Sequence, residues 1–251
     1  MIVKTETGRL YERVARDLSR KIAEGEYAVG RRLPSERDLA QAYAVSRPTI
    51  REAIIALELD GLVEVRLGSG VYVMASLPRD GQAGEMDVGP FELLEARRAI
   101  EGEACALAAV LITDEQLEEL RGLVEEMQAE NDRDITMSED ADRRFHMLIA
   151  TATRNSAMIN AVETLWDARA RSPQTKSLSV KAHAAGVIPR IDEHAVVVQA
   201  LQSRSPDAAR RAMRDHLTRV LDSLLAATEV QELEQARARI AAERKRYGAS
   251  G

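Results

Sequence analysis

The period of the hydrophobic pattern changes along the chain, and the changes mark out its organisation. From Leu10 to Glu24, the residues Leu10, Val14, Leu18 and Ile22 recur every fourth position against a charged opposite face, which predicts an amphipathic helix. Gly25 and Gly30 close it and open a loop. Pro34-Ser35-Glu36-Arg37-Asp38 then starts a short second helix with Leu39 and Ala40 turned inward. Ser46 offers an N-cap hydroxyl, and Ile50, Ala53, Ile54 and Leu57 predict a third helix over Thr49–Leu59. Leu62-Val63-Glu64-Val65-Arg66 and Val71-Tyr72-Val73 are β-rich and flank Leu67-Gly68-Ser69-Gly70. Two short strands around a glycine-containing turn predict a β-hairpin.

Residues 76–90 break the pattern. Pro78, Gly81, Gly84, Gly89 and Pro90 among polar neighbours read as a linker. From Phe91 onward the helical period returns, with helices expected over 91–110, 114–131, 138–153, 155–170, 189–203 and 206–227. Ser205-Pro206 is a strong helix start, serine as cap and proline at the first helical position. Arg171 to Gly186 reads as a polar loop with room for a short helix, and 229–251 as a charge-dense tail. The expected architecture is mainly α: a winged helix-turn-helix over 1–75, a linker over 76–90 and an all-helical antiparallel bundle over 91–228.

Composition agrees with helices. Apolar residues make up 45% of the 251, aromatic residues only 3%, so the core must be built mostly from Leu, Ala, Val and Ile. The net charge of −6 argues against nucleic acid until it is divided along the chain. Residues 1–78 carry +1 and residues 79–251 carry −7, and Arg31 to Arg51 alone carries +3. A locally basic patch on an acidic chain still gives an electrostatic footprint. Cys105 is the single cysteine and reads as a small buried hydrophobe; no disulfide framework is possible within the chain. The opening residues carry no apolar run and no stretch is long enough to span a bilayer, so a cytoplasmic setting is expected.

Three helices followed by a two-stranded wing is the order of a winged helix-turn-helix, in which the third helix enters the major groove. Ser46, Arg47, Thr49 and Arg51 stand at its start. Arginine pairs bidentately with guanine edges, and hydroxyls at a helix N-terminus suit phosphate oxygens. Gly68, at the wing tip, allows close approach of the backbone to DNA.

The second half carries metal-binding residue types. Asp142 and His146 are four apart and share a helical face, and His194 and His216 lie on two helices joined by a short turn. If register allows, three neutral imidazoles and one carboxylate converge, a donor set for Zn²⁺, Ni²⁺, Co²⁺, Mn²⁺ or Fe²⁺. His183 falls in the polar loop, outside the set.

The stretch GRRLPSERDLAQAYAVSRPTIREAIIALELDGLVEVRLGSGVYV resembles the DNA-binding domain of the GntR family of bacterial regulators. The resemblance implies DNA contacts at Arg37, Ser46, Arg47, Thr49, Arg51 and Gly68. Leu67 stands where some relatives carry a polar wing residue. FELLEARRAIEGEACALAA, DADRRFHMLIATATRNSAM, DEHAVVVQAL and MRDHLTRVL resemble the helical FCD effector domain of the FadR-like subgroup. That implies a metal, zinc first, on Asp142, His146, His194 and His216. It also implies an effector site at Arg97, with Arg98 as its alternative and Arg169 and Asn155 as further candidates. Asn155 equally suits a helix cap. Across both domains the chain looks most like hexuronate-utilisation regulators of the UxuR/ExuR type. This implies a homodimeric repressor that leaves a palindromic operator when it binds a hexuronate or its keto-acid isomer.

Two other readings compete. A metal-dependent enzyme acting on a sugar acid would use the same cluster to activate water, with Glu193 as a base. A DNA-binding regulator with a purely structural metal would use the cluster only to fold.

Overall fold

The computed structural model describes residues 9–66, 69–78, 88–133, 139–184, 186–187 and 190–226. The chain divides into two compact units, Met1–Phe91 with Leu225–Gly251 and Glu92–Leu224. The expected wing-tip residues Leu67 and Gly68, most of the expected linker and the 229–251 tail lie outside the described residues.

In the first unit, α1 spans Leu10–Ala23, α2 Glu36–Tyr43 and α3 Arg47–Leu59. The inward face of α1 is Tyr11, Val14, Ala15, Leu18 and Ile22, while Leu10 stays half exposed. The period-four run therefore begins one residue later than the pattern suggested, with the Tyr11 ring taking the first core position. Ser35 caps α2 by accepting from the Asp38 N–H at 3.2 Å. Ala44, in the left-handed region at φ 53°, ends it. Ser46 then caps α3 by accepting from the Thr49 N–H at 3.3 Å, and α3 starts at Arg47 because Pro48 fits the first turn. Ile50, Ala53, Ile54 and Leu57 close the core beneath α1. Each fully buried Leu or Ile contributes about 1.5–3 kcal/mol by leaving water.

Strands β1 (Val63–Arg66) and β2 (Gly70–Val73) pair antiparallel, with Val63 opposite Val73 and Val65 opposite Val71. A third segment joins them. The Leu33 N–H donates to Val71 O at 2.8 Å and the Val73 N–H to Arg31 O at 2.9 Å, with a bridge between Arg32 and Tyr72. Arg31-Arg32-Leu33 has no alternating pattern and so carries no strand signal in the sequence. Gly70 is required here: its φ is +110°, and an added Cβ would lie 2.3 Å from Arg32 Nε.

In the second unit, α4 spans Pro90–Leu111, α5 Asp114–Arg133, α6 Glu139–Ala152, α7 Ser156–Arg171, α8 Pro173–Ala184 and α9 Asp192–Gln202. A last helix, α10, runs over 206–226. Helix α5 packs against α6 and α9, α6 against α7, and α7 against α8. Leu120, Phe145, Ile149, Val197, Leu201 and Met213 lie in one continuous core, with Cys105 fully buried among them. Ser205 caps α10 by accepting from the Ala208 N–H at 3.4 Å, and Arg204 at φ 54° turns the chain back from α9.

Helix α8 takes up most of Arg171–Gly186, expected as a polar loop with room for a short helix. Ser172 accepts from the Thr175 N–H at 3.2 Å, Pro173 opens the helix, and Leu178 and Ala182 face inward. The Ser-Pro signal that marks α10 occurs here too. The polar run Gln174-Thr175-Lys176-Ser177 masked it, because only two later positions carry the apolar stripe.

Candidate functional site

Four side chains from three helices of the second unit meet in its interior. Asp142 and His146 come from α6, four residues apart on one face; His194 comes from α9 and His216 from α10. One ligand atom from each lies within 4.8 Å of the others. The turn at 203–205 sets α9 and α10 side by side, so the His194 and His216 rings stand 4.4 Å apart between centroids. Phe145 forms an edge-on wall against His146 and His194, at 5.5 and 5.0 Å.

The imidazoles are held from behind. Glu101, on α4, abuts His146 Nδ1, and Glu193 Oε2 lies 3.1 Å from His216 Nδ1. In each case the second ring nitrogen is left for the centre of the cluster. Asp142 Oδ1 sits 3.0 Å from His194 Nε2 and 3.4 Å from His146 Nε2. Yet both ring nitrogens of His146 and Nδ1 of His194 are buried without a hydrogen bond, His146 Nδ1 meeting Glu101 only as an ion-pair contact. Buried polar atoms are normally satisfied, so orphaned imidazole nitrogens near a carboxylate fit a site that could hold an ion. Three imidazoles and a carboxylate, two of the imidazoles backed by carboxylates, are the donor set and support of a transition-metal site.

Protonation divides the donors: Asp142 and His216 are held in the metal-binding form, whereas His146 is held toward its protonated form. Burial opposes ionisation of Asp142, but His146 and His194 hold its carboxyl well below the usual carboxylate range. Burial pushes His216 down to about 4 against the pull of Glu193, so its ring is neutral at pH 7. Burial also opposes charge on His146, but Glu101 and Asp142 outweigh it and raise the imidazole above its usual value. Glu101, despite its own burial, is drawn down to about 2 by Arg97 and His146.

The structure separates Arg97 from Arg98. Arg97 is 3% exposed, its Nε donates to Glu101 Oε1 at 2.6 Å, and its guanidinium lies 4.1 Å from the centre of the Trp166 ring. Arg98 instead reaches Thr218 Oγ1 at 3.5 Å. Arg169 stands over the same Trp166 ring at 5.2 Å. Asn155 caps α7, accepting from the Ala157 and Met158 N–H groups at 3.1 and 3.3 Å. That cap occupies its carbonyl oxygen. Glu193 is tied to His216 and to Arg219 at 2.7 Å, a buttress rather than a free base. His183 is exposed near the end of α8 and stands apart from the cluster.

Three supporting residues escaped sequence reading: Glu101, Trp166 and Glu36. Glu101 was within reach, because Arg97 and Glu101 are four apart on one helix and opposite in charge. Trp166 is the only tryptophan of the chain and offered no pattern to read.

In the first unit the expected DNA contacts divide by exposure. Arg37 on α2 is 87% exposed and Arg47 at the start of α3 is 50% exposed. Ser46 is exposed, and its Oγ lies 2.8 Å from Thr49 Oγ1 in the cap. Arg51 is different: it is 4% exposed and its Nε donates to Glu36 at 2.8 Å. Arg51 is thus held inward in this conformation, one turn behind the exposed start of the helix.

A three-helix unit with a paired wing and a helical unit with a buried donor cluster are the two parts expected of a DNA-binding transcriptional regulator. Residues 10–73 match the family described as "Bacterial regulatory proteins, gntR family", and residues 92–219 match the FCD domain. The chain belongs to the GntR family, in the group that carries an FCD domain. The "Exu regulon transcriptional regulator" of Escherichia coli K12 is 39% identical over 218 residues, 85% of this chain and 83% of that protein. The "Uxu operon transcriptional regulator" of the same organism is 33% identical over 242 residues, 91% of this chain and 92% of that protein. A GntR-family transcriptional regulator from Pseudomonas syringae pv. tomato DC3000 shares the fold, with a TM-score of 0.50 at 20% identity over 90% of this chain and 89% of that one. The chain is a transcriptional regulator related to these proteins, not an enzyme. No helix among the described residues is long and apolar enough to cross a membrane.

Proposed function

We propose that this chain is a cytoplasmic repressor that binds a palindromic operator as a homodimer and leaves it on binding a small sugar acid beside a metal. The single observation that carries the sensing half is the orphaned, carboxylate-backed imidazole cluster with the buried Arg97 guanidinium one residue removed from it through Glu101. Asp142, His146, His194 and His216 would hold the metal, Zn²⁺ in the first place and Ni²⁺, Co²⁺, Mn²⁺ or Fe²⁺ as alternatives. When bound, such an ion supplies a Lewis-acid anchor for ligand oxygens. Arg97 has its Nε committed to Glu101 and its face to Trp166; its terminal NH₂ groups remain to receive a carboxylate. Arg169 adds positive charge at the same ring.

An acid with further oxygens suits this pairing. Relatives named for the Exu regulon and the Uxu operon favour hexuronates and their keto-acid isomers: glucuronate, galacturonate, fructuronate and tagaturonate. On the DNA side, a sensing domain over 91–228 would govern a reading domain over 1–75. There Arg37, Ser46, Arg47, Thr49 and the wing residue Gly68 meet the duplex, and Arg51 joins them by exchanging Glu36 for DNA. Effector control requires that the sugar acid bind the DNA-free arrangement more tightly than the DNA-bound one.

A thermal-shift screen of these four acids on Zn²⁺-loaded and chelator-stripped protein tests the proposal, since a ligand of the folded state raises the melting temperature by mass action. One or more acids should stabilise the loaded form and not the stripped form. Stabilisation by Zn²⁺ with no response to any acid would reduce the cluster to a structural metal site.

A further inference from the structure

Between the buried imidazole of His146 and the buried guanidinium of Arg97 stands one carboxylate. Glu101 Oε1 accepts from Arg97 Nε at 2.6 Å, and its Oε2 faces His146 Nδ1. Oε1 is hydrogen-bonded to Arg97, Oε2 meets His146 Nδ1 as an ion-pair contact without a hydrogen bond, and Glu101 is 2% exposed, so no water shell loosens the arrangement. Arg97 and Glu101 sit one turn apart on α4, while His146 comes from α6. Trp166 fixes the other side: its ring lies under the Arg97 guanidinium and 5.2 Å from the His146 ring centre.

We infer that Glu101 is a positioning residue that couples the carboxylate-binding arginine to the metal-binding imidazole, making the two subsites one energetic unit. The physical reason is a shared acceptor. A carboxylate that accepts from Nδ1–H fixes the tautomer and ring orientation of a histidine and strengthens Nε2 as a donor. The share of negative charge that Glu101 gives to His146 depends on how tightly Arg97 holds it. An acid that draws the Arg97 guanidinium toward itself loosens the Arg97–Glu101 bond and strengthens the Glu101–His146 bond. Metal and acid therefore favour each other's binding, and by linkage the favour is mutual. Glu193 backs His216 in a similar way but bonds to Arg219, not to Arg97, so it carries the support without the coupling.

This inference rests on the metal reading proposed above, and Zn²⁺ alone tests it. The dissociation constant for Zn²⁺ is measured by competition with a chromophoric chelator on the full chain and on Glu101→Gln, Arg97→Gln and the double variant. Glu101→Gln should bind Zn²⁺ about 10–100-fold more weakly. Arg97→Gln touches no ligand, yet it should also change the affinity, at least threefold. The double variant should match Glu101→Gln alone, because Arg97 acts only through Glu101. The Co²⁺-loaded Arg97→Gln protein should show a shifted d–d absorption band, a readout that loss of stability alone does not move. If Glu101→Gln fails to fold, the double variant, with both charges removed, carries the test by the same 10–100-fold loss. Unchanged affinity in Arg97→Gln, or effects that simply add, overturns the coupling while leaving the metal reading intact. A wild-type chain that takes up no Zn²⁺ overturns both.

Discussion

Arg97 and Glu101 form an ion pair at 2.6 Å with both side chains almost wholly out of water. Such a pair is weak evidence for stability by itself, since desolvating two charges offsets most of their attraction. Breaking it on one side is another matter. Arg97→Ala would leave Glu101 charged and facing His146 in the interior. A loss of about 3–5 kcal/mol is expected in urea unfolding of the metal-free chain. A cost below about 1 kcal/mol would mean that water reaches the pair.

Removing a metal ligand should uncouple metal from stability. Asp142→Ala takes away the carboxylate that sits 3.0 Å from His194 and 3.4 Å from His146. At free Zn²⁺ about a thousandfold above its dissociation constant, the wild type should gain about 4 kcal/mol. That is on the order of 10 °C in melting temperature for a chain of this size. Calorimetry with and without a chelator should show that difference in the wild type and none in Asp142→Ala.

Metal binding should release a proton near neutral pH. His146 is held above its usual value by Glu101 and Asp142 after burial is overcome, whereas His216 is already neutral with a value of about 4. The sign follows from linkage. A raised folded-state value stabilises the metal-free chain fully below the unfolded value of 6.5, and that contribution fades as pH rises through the raised value. A metal prefers the deprotonated ring, so its apparent affinity should climb across the same window. Titration calorimetry in buffers of different ionisation enthalpy should report net proton release at pH 7. A buffer-independent heat would contradict the His146 assignment.

Trp166 should report the site directly. It is the only tryptophan, and its ring lies 5.2 Å from His146 and 4.1 Å from the Arg97 guanidinium. Ni²⁺ or Cu²⁺ at the cluster should quench its emission by more than half, and His146→Ala should abolish the saturable part. Quenching that survives in His146→Ala would place the ion elsewhere.

On the DNA side, exposure sorts the arginines. Arg37→Ala and Arg47→Ala should each weaken operator binding about 5- to 150-fold, the equivalent of about 1–3 kcal/mol, without lowering the melting temperature. Arg51→Ala should lower both, because it removes the buried Arg51–Glu36 ion pair as well as a cation near the DNA-reading helix. Anisotropy for affinity and calorimetry for stability separate the two cases.

Much of this is legible in the amino-acid sequence itself. Capping serines and helical spacing located α1 to α3, and the β-rich pair located the wing, because local sequence dictates those elements. The third segment of the wing was hidden, since Arg31-Arg32-Leu33 pairs through backbone atoms that leave no trace in side-chain pattern. Helix α8 was hidden by its polar first turn. Spacing named Asp142 with His146 and placed His194 and His216 on neighbouring helices, but only the turn at Arg204 sets the register that brings the two rings to 4.4 Å. The choice between Arg97 and Arg98 depends on helix rotation by about 100°, which a buried Glu101 partner decides and a one-residue shift in sequence does not.

The most direct measurement of the central claim is fluorescence anisotropy on an operator fragment selected by the protein from random DNA, titrated with the four hexuronic and keto acids. With Zn²⁺-loaded wild type, at least one acid should raise the operator dissociation constant tenfold or more, and Asp142→Ala should bind the same DNA without responding. Operator affinity unchanged by every acid, or an Asp142→Ala protein that responds as the wild type does, would contradict the account.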